Sequence, residues 1–154
     1  MKLQNGACVM GPRLRGDERW LVMRVNPMNP DFTEIADALK RYYDGLFYCD
    51  VELLMSVFHP GAHYHTTSGG EHLHYDMRAY RDVIAGRTPP ARSGDIYGYE
   101  IESIRFAGSD TALAILKCEM MGKRFTDFLS FIRDKGEWRI VAKVFHYDLI
   151  REGK

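Results

Sequence analysis

From Asp31 the apolar residues Ile35, Leu39, Tyr42, Leu46 and Cys49 recur at spacings of three and four. That is the period of an amphipathic helix ending near Tyr48, with Asp31 or Thr33 as its N-cap. Asp50 then caps a shorter helix with Val51, Leu54, Met55 and Phe58 on one side, stopped by Pro60-Gly61. The two make a helical hairpin. Ala62 to Thr67 is a strand candidate, Ser68-Gly69-Gly70 a turn, and His72 to Tyr75 a further strand. A third helix runs from Asp76 to about Gly86, with Met77, Tyr80, Val83 and Ile84 on one side. Thr88 to Gly94, with Pro89 and Pro90, is a loop and a candidate cover for a cavity mouth.

The rest of the pattern is strand: Tyr97 to Phe106, a turn at 107–110, Thr111 to Met121, a tight turn at Gly122, and a long hairpin from Arg124 to Asp148. Three helices followed by an antiparallel meander predict an α+β domain with the helices on one face of a curled sheet. The last hairpin turns at Asp134-Lys135-Gly136. A three-residue loop with Gly136 in the left-handed position sets Leu129 opposite Val141, Asp127 opposite Lys143 and Phe125 opposite Phe145. A two-residue loop instead sets Asp127 opposite Val144, so the pairing depends on the turn.

Before this domain, residues 1–30 carry Gly6, Gly11, Pro12, Gly16, Pro27 and Pro30 and show no period. They read as an N-terminal arm, disordered or a start-site artefact if Met23 or Met28 begins the chain, and 31–150 as the domain. Leu21-Val22-Met23 is alternatively an added strand, and Arg15-Gly16-Asp17 reads as a chance match to an adhesion tripeptide. The 154 residues are 45% hydrophobic and 27% charged, ordinary for one globular domain. With 21 basic and 21 acidic residues no net charge draws the chain to nucleic acid or to a membrane, and neither is expected as a partner. Cys8, Cys49 and Cys118 are odd in number and widely spaced, which fits free thiols in a cytoplasmic protein.

Phe58-His59-Pro60-Gly61-Ala62, Gly108-Ser109-Asp110-Thr111-Ala112, Phe125-Thr126-Asp127 and Gly136 through Phe145 resemble the nuclear-transport-factor-2-like superfamily, in the SnoaL-like branch labelled "putative lumazine-binding". The resemblance spans roughly residues 33–147. It implies a cone, a curved sheet around a helical hairpin with a pocket inside, on a scaffold that hosts isomerases, dehydratases, cyclases and non-catalytic binders. Arg41-Tyr42 through Ala62 and Gly69 is also similar to ketosteroid isomerase. That likeness implies Tyr42 as the oxyanion-binding tyrosine and Asp127 as the neutral hydrogen-bond donor. The position of the proton-moving carboxylate holds Thr66, which is no base near neutral pH.

The site residues follow from both readings. Tyr42, Tyr64, Thr66, Asp127, Leu129, Lys143 and Tyr147 are the expected ligand-binding wall, and Tyr42, Asp127 and His65 the catalytic candidates. Tyr42 also fits the core stripe, and an Asp127–Lys143 pair also fits a structural role in fixing register. His63-Tyr64-His65 and His72-Leu73-His74 flank a glycine turn, and pairing 63 with 74 and 65 with 72 gathers four imidazoles able to hold zinc. No acidic or thiolate ligand is fixed among them and the register is open, so the expectation is no metal and no cofactor. Alternation turns these rings away from Thr66, although His65, next to the vacant position, remains the replacement base.

Thr126, Phe128, Ser130, Ile132, Trp138, Ile140, Ala142 and Val144 form a second apolar sheet face. A homodimer through that face is the simplest cover, with the N-terminal arm as the rival. The function expected is a dimeric small-molecule binder. Its alternatives are a lyase or isomerase moving a proton next to a carbonyl, with Tyr42 and Lys143 on the oxyanion, and a structural dimerisation module with a filled cone.

Overall fold

The computed structural model describes residues 29–151. Cys8, the Arg15-Gly16-Asp17 tripeptide, the 21–23 run and the alternative starts at Met23 and Met28 lie outside them. Helix α1 (Pro30–Phe47) begins one residue before the expected domain boundary, because Pro30 suits the first helical position, where no N–H is needed. Asn29, and neither Asp31 nor Thr33, is its N-cap and accepts the Asp31 N–H at 2.9 Å. Asp31 instead pairs with Arg133, tying the start of α1 to the last hairpin.

Asp50 caps α2 (Val51–Val57) by accepting the Leu53 N–H at 3.0 Å. The helix ends before Phe58, and Phe58-His59-Pro60-Gly61, expected as its end and stop, opens strand β1 (Phe58–Thr66). Pro60 disfavours the helical region for the residue before it, which accounts for the early switch. The α1–α2 crossing is tight at Gly45, where a Cβ would stand 2.7 Å from the Leu54 Cβ. Strand β2 (Leu73–Asp76) leads into α3 (Met77–Ala85), capped by Asp76 through the Ala79 N–H at 2.8 Å. Strands β3 (Tyr99–Ala107), β4 (Thr111–Met120), β5 (Lys123–Asp134) and β6 (Glu137–Leu149) complete the chain.

The six strands form one curved sheet in the order β2-β1-β6-β5-β4-β3, antiparallel except where β1 runs parallel to β6. Its concave side packs on the helices: Ile35, Leu39, Tyr42, Leu54 and Tyr80 share one buried cluster with Leu116, Leu129, Phe131 and Ile140. This is the α+β cone. Among the described residues no helix is long and apolar enough to cross a membrane.

The two-residue turn, the alternative of the two expected, forms, but its register holds only as far as Phe131. Lys135 (φ 51°) and Gly136 (φ 80°) make a two-residue turn with both central residues left-handed, so Asp134 faces Glu137 and Phe131 faces Ile140. One extra residue, Val141, then bulges out of β6, and from there Ser130 faces Ala142, Leu129 faces Lys143 and Asp127 faces Phe145. The bulge also corrects the face assignment. Trp138 and Ile140 turn into the core, whereas Phe128 and Val144 stay outside, 48% and 49% exposed.

Candidate functional site

Between the concave sheet and the helices lies a cavity of about 600 Å³, so the cone is not filled by its own side chains. Alternation along the strands decides which residues reach it. Tyr64 and Thr66 come from β1, Tyr75 from β2, Phe125 and Asp127 from β5, and Lys143, Phe145 and Tyr147 from β6. Tyr80 and Val83 of α3, Leu46 of α1, Leu73 of β2 and Cys118 and Met120 of β4 add to the aromatic and apolar part of the lining. Arg87, Lys123 and Glu71 supply charge where the lining is more exposed.

Asp127, 1% exposed, stands at the polar centre of this wall. Tyr42 donates its hydroxyl hydrogen to Oδ2 at 2.6 Å, and Lys143 Nζ lies 3.9 Å from the same oxygen, beyond hydrogen-bond reach. Among the described residues the other oxygen, Oδ1, is buried with no hydrogen-bond partner. An unsatisfied buried acceptor costs on the order of 1–3 kcal/mol. Lys143, 4% exposed, is surrounded by rings: its Nζ sits 4.8 Å from the Phe145 centroid, 5.2 Å from Tyr42, 5.3 Å from Tyr64 and 5.7 Å from Tyr80. Such cation–π contacts replace part of the hydration that the ammonium loses.

Burial, reinforced by the Asp127 charge, holds the Tyr42 hydroxyl well above its usual range. Burial likewise pushes Tyr64 up to about 12 against the pull of Lys143, and the Cys118 thiol up to about 12. Near neutral pH these phenols are therefore donors, and Cys118 is a protonated thiol with little nucleophilicity. The Thr66 hydroxyl donates to the Phe145 carbonyl at 2.7 Å and accepts the Ser68 N–H at 3.2 Å. Its hydrogen-bonding capacity is used in holding β1 to β6.

Of the seven residues expected in the wall, Tyr64, Thr66, Asp127, Lys143 and Tyr147 line the cavity. Tyr42 and Leu129 do not: both are fully buried, Tyr42 behind Asp127 and Leu129 in the core. His65 faces the opposite side of β1, pairing with His72 at 3.0 Å, and so does not reach the place expected of a replacement base. Asp127 and Lys143 do meet, but as diagonal neighbours across the β5–β6 ladder because of the bulge at Val141. Among the aromatic residues of the lining, sequence reasoning missed Tyr75, Tyr80, Phe125 and Phe145. The signal for Phe145 and Tyr147 was the every-second-residue spacing from Lys143; Tyr80 carried no mark beyond its place on an apolar helix stripe.

Residues 30–146 match the family described as "Putative lumazine-binding". The chain belongs to this family. Solved structures give the same fold. A nuclear-transport-factor-2-like protein of unknown function from Methylobacillus flagellatus KT is 22% identical, with a TM-score of 0.69 over 78% of this chain and 94% of that one. One from Silicibacter pomeroyi is 23% identical with a TM-score of 0.65, over 77% and 96%. A ketosteroid isomerase-like protein from Erwinia carotovora atroseptica is 10% identical with a TM-score of 0.61, over 78% and 98%. Curated proteins provide no match. The likeness to the solved structures is one of fold alone.

Proposed function

We propose that the chain is a binding protein for a small, flat, ring-containing molecule that places a hydrogen-bond donor against Asp127 Oδ1. The observation carrying this reading is that oxygen, buried and without a hydrogen-bond partner among the described residues, on a residue that lines the cavity of about 600 Å³. A cavity of this size suits a ligand of small-molecule dimensions. The rings of Tyr64, Tyr75, Tyr80, Phe125 and Phe145 offer faces and edges to a planar body, and Lys143 offers a cation beside Asp127 for an acceptor on the same polar edge. The family's description supports a bicyclic heteroaromatic of the lumazine kind as the first ligand to try. The binder acts as a homodimer joined through the outer sheet face, where Phe128 and Val144 are exposed.

Lumazine fluorescence, titrated with the wild type and with Asp127→Asn and Lys143→Met, tests the proposal. Saturable quenching at one ligand per chain is expected, with affinity weakened about 10-fold or more in each variant, the loss of one hydrogen bond to a charged group. Unchanged affinity in both variants would return the two residues to a structural role and defeat the proposed mode.

The Tyr42–Asp127 hydrogen bond at 2.6 Å favours the catalytic alternative, proton transfer next to a carbonyl. With Thr66 committed and His65 on the far face, the buried carboxylate left facing the cavity is Asp127 itself. Loss of the alpha-proton signal of a cyclic ketone in heavy water, abolished by Asp127→Asn, is what this reading requires; a rate equal to that of buffer sinks it.

A further inference from the structure

The outward face of the β1–β2 hairpin is a row of imidazoles. Strand alternation that sends Tyr64, Thr66 and Tyr75 to the cavity sends His63, His65 and His74 the other way, and His72 at the turn joins them. His65 faces His74 across the ladder and His63 faces Asp76. The rings nevertheless meet on the diagonals: His63 Nδ1 is 2.7 Å from His74 Nε2, and His65 Nδ1 is 3.0 Å from His72 Nε2. The His65 and His74 rings are within 11° of parallel, with centroids 4.5 Å apart. One nitrogen from each of His63, His65 and His74 falls within a sphere where all lie within 4.8 Å of one another. From sequence alone these residues had no fixed register; the hairpin supplies it.

We propose that His63, His65 and His74 form a zinc-binding site on the outer face of the sheet, across β1 from the cavity. Two neutral imidazole nitrogens 2.7 Å apart need a proton between them, and a divalent cation takes the place of that proton and accepts both lone pairs. Zinc binds imidazole at about 2.0–2.1 Å, so tetrahedral ligand nitrogens stand about 3.3 Å apart. The 2.7 Å pair has to open by about 0.6 Å, and His65, whose Nδ1 now engages His72, has to turn so that the third nitrogen, within 4.8 Å of the others, closes by up to about 1.5 Å, movements that rotation about the side-chain torsions of exposed histidines supplies. The donor set is all imidazole: Asp76, which caps α3 through Oδ1, is not among the clustered groups. That set selects zinc and its first-row neighbours over calcium or magnesium, which require oxygen. His72, or a water, fills the fourth position. Bound there, the ion fastens the four-residue edge strand β2 to β1, two strands that supply cavity wall on their other side.

The test uses the full chain without an affinity tag, stripped with chelator and titrated with zinc chloride by calorimetry while its thermal midpoint is followed. One zinc per chain at micromolar affinity or tighter, with a raised midpoint, is expected. His63→Gln and His74→Gln should each weaken binding about 10-fold or more, the least expected from disturbing a metal's ligand environment. His146→Gln, whose ring engages Ser68 and Asp148, should leave it intact. Binding that survives the loss of His63 and His74 together overturns the site, as does the absence of stoichiometric binding. Cobalt(II) on the wild type gives a second readout free of any folding defect in the variants: intense visible d–d absorption marks a four-coordinate site, and the weak absorption of the hydrated ion overturns it.

Discussion

Asp44 shows how a single acidic residue is set by what surrounds it. Its carboxylate accepts hydrogen bonds from Lys40 at 2.6 Å and Tyr97 at 2.6 Å, joining α1 to the segment before β3. Burial raises its pKa, but those two hydrogen bonds and the Lys40 charge outweigh burial, and the folded value lies below the ordinary 3.8. A depressed folded value stabilises the native state above the unfolded value, and that stability is lost as pH falls through the folded one. Asp44→Asn should therefore lower the thermal midpoint at neutral pH, and the gap to wild type should close as the pH drops below 3.8. A gap that stays constant down to pH 2 would show that the charge of Asp44 contributes nothing. The Asp127–Lys143 pair obeys a different rule, because both partners are buried. Lys143→Met should cost about 3–5 kcal/mol in urea unfolding by leaving a buried carboxylate uncompensated, and Asp127→Asn added to it should recover most of that loss. A double variant as unstable as the sum of the singles would mean that the two charges do not interact.

At the scale of elements, the helices were legible because their signals are local. Asp50 caps α2 as expected and α3 starts at the expected place, just after Asp76, although the cap of α1 is Asn29 and neither of the two residues expected. The strands were legible in kind but not in register. A two-residue turn and a bulge at Val141 shift the β5–β6 pairing by one and then another residue, and neither leaves a mark in composition. The error spread from there: Trp138 and Ile140 were placed outside because alternation was counted through the bulge, while Asp127 and Lys143 were brought together by an incorrect register that happened to put them on one face. The site shared this limit. The wall residues carried by alternation from Lys143 were in reach, but Tyr80 reaches the cavity through the packing of α3, which no pattern encodes. Gly45 of α1 meets Leu54 of α2 so closely that a methyl group would stand 2.7 Å from its Cβ and 2.9 Å from its Cα. Gly45→Ala should cost about 1–3 kcal/mol by prying α1 from α2, read as a lower urea midpoint with an unchanged slope. A variant as stable as wild type would show that the crossing is looser than this.

At the scale of the molecule, the sheet has two faces and the helices cover one. On the other, Phe128 is flanked by Ile115 of β4 and Val144 of β6, and Ser130 by Leu113 and Ala142. Phe128 and Val144 are about half exposed, and His63 and His65 lie beside Ala142 and Val144 on β1. An apolar strip across three adjacent strands suits the proposed homodimer, since a two-fold axis would bring the same patch from each side. The wild type should therefore sediment as a dimer at micromolar concentration in the presence of chelator, and Phe128→Glu, which sets a like charge against itself across the axis, should sediment as a monomer with unchanged circular dichroism. Removing residues 1–28 separates this arrangement from its rival. If the arm were the cover, the full chain would be monomeric and only the truncated chain would associate. A dimer needing zinc would instead mean that the histidines beside Val144 bridge two copies, so the sedimentation run with and without the ion decides which part of this face joins the subunits.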